Sequence, residues 1–397
     1  MNSPDENPLD WEPATRLIRG GLTRSAHQET AEALYLTQSY IYDTAEAADA
    51  RFAGTEPGFV YTRYGNPTTQ MFEDRLALLE GAEACRAFAS GMAAIHMALM
   101  GLVRAGDHIV AGRALFGSCR WILQNWAPRF GVETTLVNGP DADAWRAAMR
   151  PNTRAVLIET PANPLLELTD IAAVAKAAHE VGARVIVDNV FATPIFQQPL
   201  TLGADIVVYS ATKHIDGGGR VLGGAILGER ALIDEAYRDP IRHTGPALSP
   251  FNAWVLLNGL QTLELRVRRE AKTAAALADQ IAASPTTARI FYPTRADHPQ
   301  HAIAAKQMSG GGTLVAFDLG TREAAFGFLN ALRIVDISNN LGDSKSMATH
   351  PATTTHRSMT SEQRAEVGVT DGCVRLSVGL EGAADLARDI ARALDAA

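Results

Sequence analysis

Ala204-Asp205-Ile206-Val207-Val208-Tyr209-Ser210-Ala211-Thr212-Lys213-His214-Ile215-Asp216-Gly217-Gly218-Gly219 carries an apolar run into a lysine and a glycine-rich turn. A buried strand that opens into such a turn presents its last side chains at the carboxyl edge of a sheet. Lys213 has hydroxyls one and three positions before it, on Thr212 and Ser210, which suits an amine held beside a phosphate group. Upstream, a second apolar run, Val185-Ile186-Val187, ends in Asp188. A lysine for a Schiff base, a carboxylate for a pyridine nitrogen and hydroxyls for a phosphate together fit a pyridoxal 5′-phosphate site. Taken singly, Lys213 also reads as a solvated surface charge and Asp188 as a turn cap ahead of Asn189.

Length and composition bound the class. The chain has 397 residues, enough for two domains that each bury a full core. An apolar fraction of 47% with 20% charged residues is that of a globular protein. The net charge of −8 argues against nucleic acid or an anionic membrane as the main partner and leaves small molecules open. Cys85, Cys119 and Cys373 are far apart and lack a CxxC spacing, so reduced thiols are expected rather than a zinc knuckle or a disulfide framework. Met1-Asn2-Ser3-Pro4-Asp5-Glu6-Asn7 has neither the basic region nor the apolar core of a signal peptide, and no apolar run approaches a membrane span. A cytoplasmic location is the expectation. No G-x-G-x-x-G follows a strand pattern, no Gly-Lys pair marks a P-loop, and no HExxH occurs. His298 and His301, around Pro299, read as a loop, so no metal is expected.

Along the chain, residues 1–60 are poor in strand patterning, with a helix predicted over 27–33, and read as an N-terminal arm. Asn66 can cap a helix that has Pro67 first, Phe72, Leu76 and Leu79 at helical spacing, and Gly81 as its stop. Ser90-Gly91-Met92 opens a second helix, with Ile95, Leu99 and Leu102 on one face. Strands are predicted over 108–110, 133–137, 155–159, 184–187, 205–209 and 223–227, with a helix over 170–180 between two of them. Strands apolar on both faces and alternating with helices predict an α/β fold with a mostly parallel sheet covered on both sides. From Phe251 a helical stretch with Leu256, Leu260, Leu263 and Val267 on one face reads as the bridge to a second domain. The expected division is an arm (1–60), a cofactor-binding domain (61–255) and a C-terminal domain (256–397). Gly217-Gly218-Gly219 and Gly310-Gly311-Gly312 read as turns.

Six ordered motifs then carry a resemblance over nearly the whole chain, from about Gly21 on. They are Tyr61-Thr62-Arg63-Tyr64-Gly65-Asn66-Pro67-Thr68, Ala89-Ser90-Gly91-Met92-Ala93, Glu159-Thr160-Pro161-Ala162-Asn163-Pro164, Val187-Asp188-Asn189, Tyr209 to Lys213, and Val374-Arg375-Leu376-Ser377-Val378-Gly379-Leu380-Glu381. In these the chain resembles the pyridoxal-phosphate enzymes of cysteine and methionine metabolism: cystathionine synthases and lyases, methionine γ-lyase and homoserine-ester sulfhydrylases. The resemblance implies the aspartate-aminotransferase-like fold (fold type I), with a smaller C-terminal α+β domain. It implies that Lys213 holds the cofactor and, once released by substrate, shuttles protons, and that Asp188 pairs with the pyridinium nitrogen. The phosphate would lie at the helix start, on Gly91 and Met92 N–H groups beside Ser90, with Ser210 and Thr212 adding hydroxyls. Tyr61 and Arg63 would reach the phosphate of a neighbouring subunit; read alone, Arg63 is a surface salt bridge. Asn163 would bond the cofactor's phenolic oxygen, and Arg375 the substrate α-carboxylate through its planar fork of donors. Asn340 and Thr354 match substrate-loop positions.

Departures from the family pattern narrow the chemistry. Many members carry a tyrosine that stacks on the pyridine ring and protonates the leaving group; here Leu115-Phe116-Gly117-Ser118 keeps the ring, in Phe116, without the hydroxyl. A thiolate leaves as the base of an acid of pKa about 8.5, a carboxylate as that of one near about 4, so an ester needs general-acid help least. Ser118 also stands where methionine γ-lyases usually have a reactive cysteine. With Lys213-His214-Ile215-Asp216, Asn339-Asn340-Leu341-Gly342-Asp343 and His350-Pro351-Ala352-Thr353-Thr354-Thr355-His356, the chain looks most like the O-succinylhomoserine sulfhydrylases. That resemblance implies a homotetrameric transferase of methionine biosynthesis, making L-homocysteine and succinate from O-succinyl-L-homoserine and sulfide. Cystathionine γ-synthase, O-acetylhomoserine sulfhydrylase and a methionine or cystathionine γ-lyase stay open. Arg113, close to Phe116, is a candidate for the distal succinyl carboxylate, or a surface charge.

Overall fold

Asn66 starts the first long helix by the rules of its own sequence: its side chain accepts from Thr68 N–H at 2.9 Å, and Pro67 fills the first position. The helix, Pro67–Glu80, stops at Gly81, whose φ of 76° lies in the left-handed region that favours glycine. The structure is a computed structural model that describes residues 7–397; the reading made of Met1 to Glu6 lies outside these residues. The helix predicted over 27–33 is not formed. Ser25 N–H and hydroxyl both turn onto the Glu29 carboxylate, at 2.8 and 2.6 Å, and Gln28 has φ 55°, so local side-chain bonds replace the helical ladder.

Seven strands form the larger sheet: β1 (Ala84–Phe88), β2 (His108–Gly112), β3 (Glu133–Val137), β4 (Thr153–Glu159), β5 (Arg184–Asp188), β6 (Ile206–Tyr209) and β7 (Gly224–Gly228). Their order is β1-β7-β6-β5-β4-β2-β3, with β2 to β6 parallel and β7 antiparallel to both its neighbours. β1 escaped the sequence reading because Arg86 interrupts a short run of small residues. The two faces bury separate cores. Ile186, Ile206 and Val208 pack with Ile95 and Leu99 of the helix Gly91–Met100, while Val207, Tyr209 and Leu227 pack with Phe72, Leu76 and Leu256. Full burial of one such apolar side chain stabilises by about 1.5–3 kcal/mol.

A helix, Leu263–Ala282, joins the two halves. Leu263, Val267 and Ala271 lie in the core of the first sheet, and Ala274, Leu277 and Ile281 in that of the second. The second sheet contains β8 (Arg289–Phe291), β9 (Leu314–Asp318), β10 (Asp336–Ile337), β11 (Met347–Thr349) and β12 (Cys373–Ser377), in the order β10-β11-β12-β9-β8. It is antiparallel apart from the β10–β11 pair. The α/β architecture predicted from the apolar strand runs is the one observed.

Candidate active site

The carboxyl ends of β4, β5 and β6 lie side by side, and the register sets Glu159 directly opposite Asp188. Beyond β6 the chain turns through Ser210, Thr212 and Lys213 into the glycine run, where Gly217 and Gly219 have φ 61° and 64°. A cavity of about 280 Å³ opens there. Ser90, Gly91, Met92, Phe116, Asn163, Asp188, Ser210, Thr212, Lys213 and Arg375 all line it. The structure thus brings together residues that the sequence holds far apart, as ligand sites at strand carboxyl ends do.

Charges in the cavity perturb one another. Lys213 Nζ donates to Asn340 Oδ1 at 2.5 Å; burial, with Arg375 beside it, lowers the amine to about 8. Asp188 Oδ1 accepts from Val190 N–H at 3.1 Å, and burial raises its carboxyl above the usual range. Glu159 accepts main-chain N–H groups of Phe116 at 2.7 Å and Asn163 at 2.8 Å, while burial and the neighbouring Asp188 hold its carboxyl up. Arg375 is 1% exposed. It donates to Asn163 Oδ1 at 2.7 Å and to the carbonyls of Asn339 and Asn340 at 2.9 and 3.2 Å, and its buried Nε has no acceptor.

At the other end, Ser90 Oγ accepts from Ala93 N–H at 3.1 Å, which leaves the first N–H groups of the helix, those of Gly91 and Met92, without an acceptor inside it. A Cβ on Gly91 would stand 2.6 Å from the Ser210 Cβ, so only glycine lets the helix start approach Ser210 this closely. The donor set fits pyridoxal 5′-phosphate. Helix N–H groups and the Ser210 hydroxyl suit its phosphate, Asp188 its ring nitrogen, Lys213 its aldehyde and the Phe116 ring its face. Arg375 acts on Glu159, whereas Asp188 has only the Val190 N–H to offset its burial, and a protonated pyridine would supply the opposite charge. The Thr212 hydroxyl is less free than expected, since it donates to Gly223 O at 3.2 Å and accepts from Gly223 N–H at 3.1 Å.

Other expected residues lie elsewhere. Tyr61 and Arg63 are outside this chain's cavity, with Tyr61 40% exposed and the Arg63 guanidinium 4.8 Å from the Tyr64 ring centre. The Thr354 hydroxyl bonds Thr349 and the His350 carbonyl, both at 2.8 Å, and Thr355 forms the cavity wall instead. Arg113 does not line the cavity; its charge acts on the half-buried Glu167. Asn340 reaches the site only through Lys213 and Arg375. Among the described residues no group of three or more His, Cys, Asp or Glu side chains is placed to hold a metal. Sequence reasoning assigned no role to Glu159 or Cys119, which also line the cavity. For Glu159 a signal existed: two apolar strand runs that each end in an acid.

A family model described as "Cys/Met metabolism PLP-dependent enzyme" matches residues 14–395. A protein named O-succinylhomoserine sulfhydrylase from Mycobacterium tuberculosis strain H37Rv is 52% identical, over 99% of this chain and 98% of its own length. An L-methionine gamma-lyase from Porphyromonas gingivalis is 42% identical, over 96% of each chain. Among solved structures, a putative O-acetylhomoserine (thiol)-lyase from Campylobacter jejuni, with N′-pyridoxyl-lysine-5′-monophosphate, superposes with a TM-score of 0.93 at 28% identity, covering 97% of this chain and 100% of that one.

Proposed function

The chain belongs to the Cys/Met metabolism PLP-dependent enzymes, and we propose that it is a γ-replacement transferase taking O-succinyl-L-homoserine and sulfide to L-homocysteine and succinate. The observation that carries this reading is Phe116 in the cavity wall, with no tyrosine among the described residues that line the cavity. A ring-stacking position without a phenolic hydroxyl suits a carboxylate leaving group better than a thiolate. The greater identity to a named O-succinylhomoserine sulfhydrylase than to a named methionine γ-lyase supports it.

Bound pyridoxal 5′-phosphate supplies an electron-withdrawing ring that accepts the electrons released at the substrate's α- and β-carbons. Gly91 and Met92 N–H groups and the Ser210 hydroxyl bind its phosphate, and Asp188 keeps its ring nitrogen protonated. Arg375 binds the substrate α-carboxylate through its fork, the unpartnered Nε among the donors. Asn163, held by Glu159 through its N–H, would bond the cofactor's phenolic oxygen. With substrate bound, the free amine of Lys213 would take the α-proton. Its amine, lowered to about 8, is neutral in a useful fraction near neutral pH. Asn340 accepts one of its N–H bonds and so orients the lone pair. With Lys213 moving protons between carbons, the γ C–O bond breaks, its electron pair leaving on succinate. Hydrosulfide then forms the C–S bond at the same carbon.

On this reading Tyr61 and Arg63, both on the surface, complete the phosphate site of a neighbouring subunit in a homotetramer. Exposed Leu34, Leu36, Ile41 and Phe52 on the same N-terminal stretch support an interface there. The proposed division is an arm (1–60), a cofactor domain (61–255) and a C-terminal domain (256–397), with Leu256, Leu263, Val267 and Ala271 beyond that boundary still packed in the core of the first sheet. A cytoplasmic location is part of this reading; no helix among the described residues is long and apolar enough to cross a membrane. The test is a competition: purified protein, O-succinyl-L-homoserine and equal sulfide and cysteine, with products quantified by mass spectrometry. Homocysteine in excess supports the proposal. Cystathionine in excess overturns the nucleophile, and no release of succinate overturns the reaction class.

A further inference from the structure

Three buried polar side chains on the face of the sheet away from the cavity take no part in this chemistry. Consecutive residues of a strand face opposite ways. Asp188 and Ser210 line the cavity, whereas Asn189 and Tyr209, their neighbours in sequence, are turned into the interior. Tyr209 Oη donates to Glu80 Oε2 at 2.5 Å and accepts from Asn189 Nδ2 at 2.6 Å. Asn189 in turn bonds Gln197 twice, Nδ2 to the Gln197 carbonyl and Oδ1 from Gln197 Nε2, each at 2.9 Å. Glu80, Asn189 and Tyr209 are 1%, 0% and 2% exposed.

The ladder between β5 and β6 ends at Asp188 opposite Val208, closed by Asn189 N–H to Val208 O at 3.1 Å. Past that point β5 and β6 are no longer paired with each other, and Tyr209 is laddered only to Ala225 of β7; the side-chain link between Asn189 and Tyr209 is a direct tie between the two strand ends. The cofactor's ring nitrogen and phosphate are joined through one ring and a short methylene–oxygen arm, so their separation varies over a narrow range and the two anchors must keep a matching spacing. Contacts of this kind behind a site set the geometry in front of it. We propose that Tyr209 is a positioning residue for the cofactor: its hydroxyl, seated on Glu80, ties the ends of β5 and β6 together behind the site. It thereby sets the spacing of Asp188 and Ser210. This inference rests on the reading of those two residues as cofactor contacts.

The test uses holoenzyme of Tyr209→Phe, Glu80→Gln and Asp188→Ala. Two quantities are measured: the rate of cofactor loss after dilution, and the visible circular dichroism of the bound cofactor, which reports ring orientation. Tyr209→Phe removes one oxygen and should speed cofactor loss about 10-fold and weaken the dichroism, by analogy with partners behind metal ligands. Glu80→Gln keeps an oxygen that accepts from Tyr209 and should retain the dichroism. A Tyr209→Phe protein that melts lower but loses cofactor at the wild-type rate with an unchanged dichroism spectrum would show a purely structural role and overturn the proposal. An Asp188→Ala holoenzyme whose rate of cofactor loss and visible dichroism both match wild type would instead sink the underlying site reading, and the inference with it. If Tyr209→Phe does not fold, Glu80→Met, which removes the acceptor at similar volume, is read against the same outcomes.

Discussion

Replacing Arg375 with lysine keeps the charge and removes the fork. In the structure the guanidinium serves three oxygens, Asn163 Oδ1 at 2.7 Å and the carbonyls of Asn339 and Asn340 at 2.9 and 3.2 Å. A lysine is shorter and carries its donors on one atom, so it presents a carboxylate with a single point of contact. A charge-assisted hydrogen bond is worth about 1.5–3 kcal/mol. At about 1.4 kcal/mol per decade, losing the second arm of the substrate contact lowers kcat/KM about 10- to 150-fold. The assay is steady-state homocysteine formation from O-succinyl-L-homoserine and sulfide, repeated with the substrate's α-carboxamide. Wild-type enzyme should discriminate strongly against the carboxamide, and Arg375→Lys much less. A variant that keeps the full discrimination, or a kcat/KM close to wild type, would refute the assignment of Arg375 to the carboxylate.

Subunit mixing tests the shared site: Lys213→Ala and Arg63→Ala proteins should each be inactive, the former without visible cofactor absorbance, and activity should return when they are refolded together. No recovery would place Arg63 outside the partner's phosphate site. Phe116→Tyr restores a phenolic acid and should raise keto-acid release from cystathionine, measured with a coupled dehydrogenase; an unchanged rate would remove the leaving-group rationale. Glu270 is buried with neither oxygen bonded, and burial raises its carboxyl to about 8. The folded chain therefore holds a proton that the unfolded chain, with a carboxyl near about 4.3, releases. That contribution to stability is present at low pH and lost as pH rises towards 8. Cofactor-free protein should melt higher at pH 6 than at pH 8, with a shallower slope in Glu270→Gln; an equal slope in the variant contradicts the assignment.

Much of the site was legible because it rests on local chemistry. A capping Asn66 before Pro67, apolar runs ending in Asp188 and opening into Lys213, and Ser90 ahead of a helix are short-range patterns whose physics is complete within a few residues. β1 was missed and the chain around Gln28 was read as a helix because a strand held by its place beside β7, and a turn held by Ser25 and Glu29, carry little periodicity.

Sequence by itself determined the α/β class, the family and the residue types at the cavity, since apolar periodicity and strand-end chemistry are written along the chain. Only the tertiary structure decided which side chains meet. Asn340 lies 127 residues from Lys213 and still accepts its amine proton; Glu159 stands against Asp188 because β4 pairs with β5 in that register. Thr355 faces the cavity while Thr354 turns to Thr349, and Tyr209 faces Glu80 across the core. Beyond the end of a strand or helix no period dictates where a side chain points. Its direction there is set by the packing of segments distant in sequence, and those distances are fixed only once the cores on both sides of the sheet have closed.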